Sequence, residues 1–197
     1  MTAIESLRLA LTHLDRAGAK YALVGGLAVS VRAEPRFTRD ADLAIAVSND
    51  AEAEALVHSL VQEGYRTGMT VEQEATGRLA SVRLTPDVDP ESSFVDLLFA
   101  SSSIEPEVVA GASLMEVVPD LFVPVAALGH LIAMKALSEA PERFQDSADL
   151  VSLLRSASSD DLVIAADAIA LIQSRGANRG KDLAAVLLKY RDLANGG

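Results

Sequence analysis

Apolar residues open the chain at helical spacing. Ile4, Leu7, Leu11 and Leu14 fall on one face of a helix expected over residues 4–17, which Gly18 stops. The pattern then changes. Tyr21–Val24 is a short apolar run ending at Gly25-Gly26 and reads as a buried strand, while Leu27–Val31 opens a second helix that Glu34-Pro35 breaks. Asp40–Val47 reads as a strand. Ala51–Gln62 reads as a helix, with Ser48, Asn49 or Asp50 available to cap it and Gly64 just past its end. Two strands are expected within Val71–Thr85, around Thr76-Gly77. Pro86–Ser93 is a polar turn region, and Phe94–Phe99 is apolar apart from Asp96. Short extended pieces follow over 115–125, around Pro119 and Pro124. Beyond this only helical patterns remain, over 126–139, 143–155, 160–174 and 180–194. The expected fold class is α+β, with a mixed α/β part over 1–125 and a helical region over 126–197.

Three acidic residues stand out against this pattern. Asp40 and Asp42 are two apart at the start of a strand, so both carboxylates project to one side while Leu43, Ile45 and Val47 point to the other. Neighbouring carboxylates repel unless a cation lies between them, and Mg²⁺ commonly takes one or two carboxylates together with substrate phosphates. Asp96 is a lone carboxylate inside an apolar strand, which is costly unless it is paired or liganded. If its strand lies beside that of Asp40 and Asp42, the three carboxylates converge on a site able to hold metal. The competing readings are a solvated Asp-x-Asp strand end and an Asp96 paired with an arginine.

Composition narrows the chemistry. The chain has 197 residues, no cysteine and no tryptophan, so disulfides, zinc–thiolate sites and a thiol nucleophile are excluded. The formal net charge of −11 argues against a long DNA duplex as ligand, since duplex affinity comes from neutralising phosphates. Arg32, Arg36 and Arg39 are the one candidate basic patch. Residues 1–14 lack the plan of a signal peptide and no stretch is long and apolar enough to span a membrane, so the cytoplasm is the expected compartment. His13, His58 and His130 are scattered without ligand spacing, and Ser101-Ser102-Ser103 has no partnered base and reads as a loop.

The glycine pair supplies the context. Val24-Gly25-Gly26-Leu27 is a strand-to-helix junction, where glycine permits close backbone approach and the helix start offers free N–H groups to a phosphate. Gly25-Gly26, then Arg36-Phe37-Thr38-Arg39-Asp40-Ala41-Asp42, then the Asp96 strand together resemble the nucleotidyltransferase superfamily with the DNA polymerase β-like fold. The chain is most similar to its AbiEii/AbiGii-type branch, which includes toxins of toxin–antitoxin and phage-abortive systems. The match continues in Met134-Lys135-Ala136 and in Arg143-Phe144-Gln145-Asp146-Ser147-Ala148-Asp149-Leu150, and spans about residues 18–155. It departs where many relatives carry a Ser or Thr after the second glycine, since Leu27 and Ala28 stand there.

The resemblance implies a mixed β-sheet flanked by helices with a C-terminal helical bundle. It implies transfer of an NMP group from an NTP, with Mg²⁺ held by Asp40, Asp42 and Asp96. Gly25, Gly26, Arg36, Thr38 and Arg39 would contact the nucleotide. Lys135 would reach the triphosphate, and Asp146, with Asp149 as second choice, would complete the site. The acceptor is left open between an RNA end such as tRNA, a protein hydroxyl and a small molecule. A cognate antitoxin is an implied partner. The alternative is a catalytically inactive binding module that keeps the fold.

Overall fold

A computed structural model describes residues 1–73, 77–89 and 93–196. Helix α1 (Ala3–Arg16) begins at a capping box in which Thr2 Oγ1 accepts from the Glu5 N–H (3.3 Å) and Glu5 Oε2 accepts from the Thr2 N–H (2.7 Å). Its stripe of Leu7, Leu11 and Leu14 is buried, as the spacing predicts. Strand β1 (Lys20–Val24) runs into α2 (Gly25–Arg32), followed by β2 (Ala41–Ala46) and α3 (Asp50–Gln62). Of the three candidate caps for α3, Asn49 serves: its side chain accepts from the Glu52 N–H at 3.0 Å. Strands β3 (Tyr65–Glu72), β4 (Leu79–Pro86) and β5 (Val95–Leu98) come next, then α4 (Glu105–Ala110), β6 (Ser113–Val118) and β7 (Leu121–Val125). Four helices end the chain: α5 (Leu128–Ser138), α6 (Phe144–Ser156), α7 (Ser159–Ser174) and α8 (Leu183–Asn195).

The seven strands form one mixed sheet in the order β3-β4-β5-β2-β1-β7-β6. β2 is central. It runs antiparallel to β1 and parallel to β5, and the apolar pairs Leu23–Leu43 and Leu43–Leu97 cross the sheet at its middle. α1 and α4 pack on β2, α2 packs on β1 and β2, and α3 rests on β3 and β4. The later helices pack mainly on one another, α5 against α6 and α7, and α6 against α8, with α2 touching both α5 and α6. The core runs continuously from α1 through the sheet into α5–α8 and is dominated by Leu, Val, Ile and Ala, as a chain poor in aromatics requires. The architecture is α+β. No helix among the described residues is long and apolar enough to cross a membrane.

Three local expectations need adjustment. β3 starts at Tyr65, six residues before the expected Val71. It is an edge strand with every residue after Tyr65 exposed, so it lacks the apolar alternation that marks a half-buried strand. α4 was not expected, because six residues are too few to display a helical period; Glu105, its fully buried first residue, accepts from Ser102 N (2.7 Å) and Ser102 Oγ (2.9 Å). Asp40 lies one residue before β2 rather than within it. Of the expected Thr76-Gly77 turn, Thr76 lies outside the described residues, as do residues 90–92 of the polar turn region.

Candidate active site

Strand register builds the floor of the site. Asp42 on β2 stands opposite Val24 on β1 and Asp96 on β5, and Asp96 in turn stands opposite Arg83 on β4. Asp42, Asp96 and Arg83 thus form a row across three adjacent strands. Arg83 holds Asp96 with both limbs, Nε to Oδ1 at 2.8 Å and Nη2 to Oδ2 at 2.6 Å, and its guanidinium lies 4.5 Å from the centroid of the Phe94 ring. The arginine reading of Asp96 is therefore correct for its pairing, and the convergence of strands is correct for its position. Asp42 has no such partner: neither it nor Asp40 makes an ion pair among the described residues. Burial, then the Asp96 charge, push the Asp42 carboxyl up to about 6 against the pull of Lys135, with Asp40 adding to the rise and the Gly26 N–H opposing it.

The glycine turn lies against this floor. Gly25 has φ +61°, a conformation that favours glycine, and a Cβ placed there would lie 1.9 Å from Asp42 Oδ2. At Gly26 a Cβ would lie 2.6 Å from Arg36 Nη2 and 2.8 Å from Thr38 Oγ1. The two glycines let the β1–α2 turn sit directly under Asp42, Arg36 and Thr38.

The opposite wall comes from α5 and α6. Lys135 Nζ bridges Asp146 Oδ1 (2.6 Å) and Asp149 Oδ2 (2.7 Å). Asp149 is also gripped by Arg36, whose Nε and Nη2 lie 2.6 and 2.8 Å from its two oxygens, and by Gln145 Nε2 at 3.0 Å. Burial alone would raise the Asp149 carboxyl, but hydrogen bonds from Lys135, Arg36 and Gln145 outweigh it and hold the group below the usual carboxylate range. Arg143 Nε meets Asp146 Oδ2 at 2.7 Å. Lys135 is largely buried and Asp146 and Asp149 are buried, so none of the three is a solvated surface charge.

Floor and wall enclose a cleft of about 1410 Å³. Gly25, Gly26, Arg36, Thr38, Asp40, Asp42, Asp96, Lys135 and Asp146 all line it, which brings together every expected site residue except Arg39 and the second-choice Asp149, the latter lying behind the wall in contact with Lys135 and Arg36. Arg39 is exposed and does not line the cleft. The expected patch of Arg32, Arg36 and Arg39 is not formed. Arg32, at the end of α2, donates to the Ala126 carbonyl (3.0 Å), the Val125 carbonyl (3.0 Å) and Ser113 Oγ (2.7 Å), while Arg36 turns to Asp149.

Residues 9–194 match the family described as "Nucleotidyl transferase AbiEii toxin, Type IV TA system". The chain belongs to the AbiEii nucleotidyltransferase family. As a member of that family it is a transferase. Among solved structures it is similar to an antigenic nucleotidyltransferase-like protein from Paracoccidioides brasiliensis, at 18% identity and TM-score 0.52, covering 95% of this chain and 94% of that one. It is similar to the antibiotic-resistance factor ANT(2'')-Ia at 17% identity and TM-score 0.55, covering 90% and 95%. It is also similar to the lincosamide antibiotic adenylyltransferase LnuA in its lincomycin-bound form, at 13% identity and TM-score 0.50, covering 77% and 96%. These likenesses carry the nucleotidyltransferase fold. No curated protein matches the chain.

For an AbiEii-family chain the fit to a divalent metal can be tested on the donors themselves. Among the described residues no group of three or more Asp, Glu, His or Cys side chains forms a ready metal shell. Asp96 is already held by Arg83 at both oxygens. Asp40 and Asp42 remain, two carboxylates in one cleft without an ion-pair partner of their own, the Asp40 charge adding to the cost of ionising Asp42. That donor set fits Mg²⁺ in its nucleotide-bound form, in which phosphate and water fill the other positions.

Two cationic cleft residues, Arg83 and Arg179, were not singled out in the sequence. Arg83 carried a weak signal: Val82 and Leu84 are buried on one face of β4, and Ser81, Arg83 and Thr85 take the other. Arg179 lines the far end of the cleft and donates to the Ser101 carbonyl at 2.9 Å. It has φ +53° between Gly176 and Gly180, and nothing local to its sequence announces that role.

Proposed function

We propose that the protein transfers an NMP group from an NTP to an acceptor hydroxyl, with Mg²⁺ held by Asp40 and Asp42 between protein and triphosphate. The observation that carries this reading is Asp42, without an ion-pair partner among the described residues, directly against Gly25, with Asp40 lining the same cleft, which is wide enough for nucleotide and acceptor. Bound Mg²⁺ would supply charge neutralisation for the phosphates and alignment of the α-phosphate. The residues around it do the rest. Backbone N–H groups at the start of α2 receive the β and γ phosphates, since no Ser or Thr follows the second glycine. Lys135 and Arg36, both at the cleft wall, add positive charge there.

In the reaction the acceptor oxygen bonds to the α-phosphorus and the bond from that phosphorus to the bridging oxygen breaks. Pyrophosphate leaves, and the hydroxyl proton passes to a carboxylate. Asp96 suits that last task, because each of its oxygens keeps a lone pair beyond the one that Arg83 uses. In this reading residues 1–125 supply the glycine turn and the carboxylates, and 126–197 supply Lys135 and the wall that shapes the acceptor pocket. An RNA end, a protein hydroxyl or a small molecule would serve as acceptor. The family's description supports a toxin role with a cognate antitoxin.

A second reading, a binding module without turnover, has one observation on its side: Lys135 and Asp96 already have ion-pair partners within the protein. Calorimetric titration with each NTP, with and without Mg²⁺, on the wild type and on an Asp40→Ala/Asp42→Ala variant tests both. Mg²⁺-dependent binding that the double substitution abolishes is the expected result, and labelled-NMP transfer to cell extract then separates enzyme from binder. A folded protein that binds no NTP would overturn the transferase reading and favour a partner-binding module.

A further inference from the structure

We propose that Phe144 is the stacking platform for the base of the incoming nucleotide, an inference that rests on the nucleotidyl-transfer reading of the cleft. Phe144 is the first residue of α6 and is 81% exposed, yet it lines the cleft. A phenyl ring left in water forgoes about 2 kcal/mol of burial. The chain holds only five Phe and three Tyr, and among the described residues Phe144 is the one aromatic side chain on the cleft surface. A base entering this cleft meets a single π-face.

The position of that face is fixed relative to the phosphate end. Asp146, two residues on, holds Lys135 at 2.6 Å, and Asp149, on the next turn, is bound by Arg36. Arg36 packs on Gly26, so the glycine turn and the start of α6 are joined through one ion-pair chain. A nucleotide whose triphosphate lies at the turn and beside Lys135 extends its base toward the start of α6, where Phe144 stands. Stacking on an exposed ring is worth about 1–3 kcal/mol per base and tolerates any base, because each has a π-face. Phe37 is equally exposed, at 82%, but does not line the cleft, and so serves as the control.

The experiment compares wild type and Phe144→Ala by calorimetry, using ATP, CTP and inorganic tripolyphosphate as probes in the presence of Mg²⁺. The expected result is a loss of affinity of about 5- to 150-fold for both nucleotides, with tripolyphosphate binding unchanged. Because the chain has no tryptophan, Phe144→Trp and Phe37→Trp each create a single tryptophan, excited at wavelengths where tyrosine does not absorb. Nucleotide should quench the first and leave the second unaltered, and tripolyphosphate should alter neither. Nucleotide affinity that survives Phe144→Ala, an equal loss for tripolyphosphate, or a Phe144→Trp signal that stays silent while nucleotide binds would each overturn the platform and leave the transferase reading intact. A wild type that binds tripolyphosphate but neither nucleotide would overturn it as well. A wild type that binds none of the three probes would overturn the transferase reading itself, and the platform with it.

Discussion

Asp42 is a carboxylate kept where the surrounding protein resists its charge. It is half-buried, with Asp96 beside it on β5 and Asp40 two residues before it, and only Lys135 and one backbone N–H in its favour. Sites that hold like charges together for function do so at the expense of stability. Asp42→Asn keeps the shape and removes the charge. At pH 8 it should raise the unfolding free energy by about 1–3 kcal/mol while abolishing nucleotidyl transfer. A thermal melt showing the variant less stable than wild type would mean that another group already compensates the charge. His130 offers the opposite case, away from the cleft. Its ring is half-buried, its Nδ1 has no hydrogen-bond partner, and burial pushes its pKa below the usual value against the opposing pull of Glu107. The folded state therefore resists a proton that the unfolded chain accepts near pH 6.5. Its contribution to stability is intact above that pH and is lost as pH falls toward the lower folded value. Melts of wild type and His130→Gln between pH 7.5 and 5.5 should show the wild type losing more stability, and parallel curves would exclude the effect. Asp42 and Asp96 were legible in the sequence because acids at the head of or inside an apolar run are rare and costly. Arg83 was not, because an arginine on the open face of an alternating strand is ordinary, and its partner is set by β4–β5 pairing across thirteen residues.

The element that gathers these residues is the β1–α2 turn. Gly25→Ala would place a methyl group on Asp42 and force an L side chain into φ +61°. Two separable penalties follow, about 1 kcal/mol for the backbone and more for the displaced carboxylate. In an Asp42→Ala background the clash partner is gone and only the backbone penalty remains. A double-mutant cycle by chemical denaturation should therefore show the Gly25→Ala cost falling by about 1 kcal/mol or more when Asp42 is already Ala. Strict additivity would mean that the turn, not the contact, sets the glycine requirement. The turn was legible because a Gly-Gly pair between an apolar run and a helical one has few readings. Its neighbours in the sheet were not equally legible. β3 is an exposed edge strand and gives no alternation before its end, and α4 is shorter than two helical turns. Helices α5 to α8 were legible in number and order, because each carries a full apolar period and clear breakers separate them.

At the scale of the whole molecule, the sheet-borne half of the cleft and the helix-borne half are joined by a chain of charges: Arg36, Asp149, Lys135, Asp146 and Arg143. The Arg36 loop follows α2, whereas Lys135 and the two carboxylates belong to α5 and α6, so the chain crosses from one half to the other. The sequence offered every member but no pairing, since the partner of Asp149 lies 113 residues away and is chosen by how α6 packs against α2. Removing one member of a buried ionic network leaves the others desolvated and uncompensated, which typically costs 3–5 kcal/mol. Asp149 is almost wholly buried and serves Arg36, Lys135 and Gln145 at once. Asp149→Asn should accordingly lower stability by about 3 kcal/mol. The exposed Arg66–Asp87 pair is the reference: Asp87→Asn should cost less than about 1 kcal/mol, since both partners lie open to solvent. The comparison is made by denaturant unfolding at low and high salt. The Asp149→Asn deficit should persist in salt because its partners are shielded from counterions, while whatever Asp87→Asn costs should shrink. Similar small deficits for the two variants would mean that apolar packing between α2, α5 and α6 holds the cleft walls together without the ions. Lys135 would then be free to leave its carboxylates for a nucleotide at little expense to the fold.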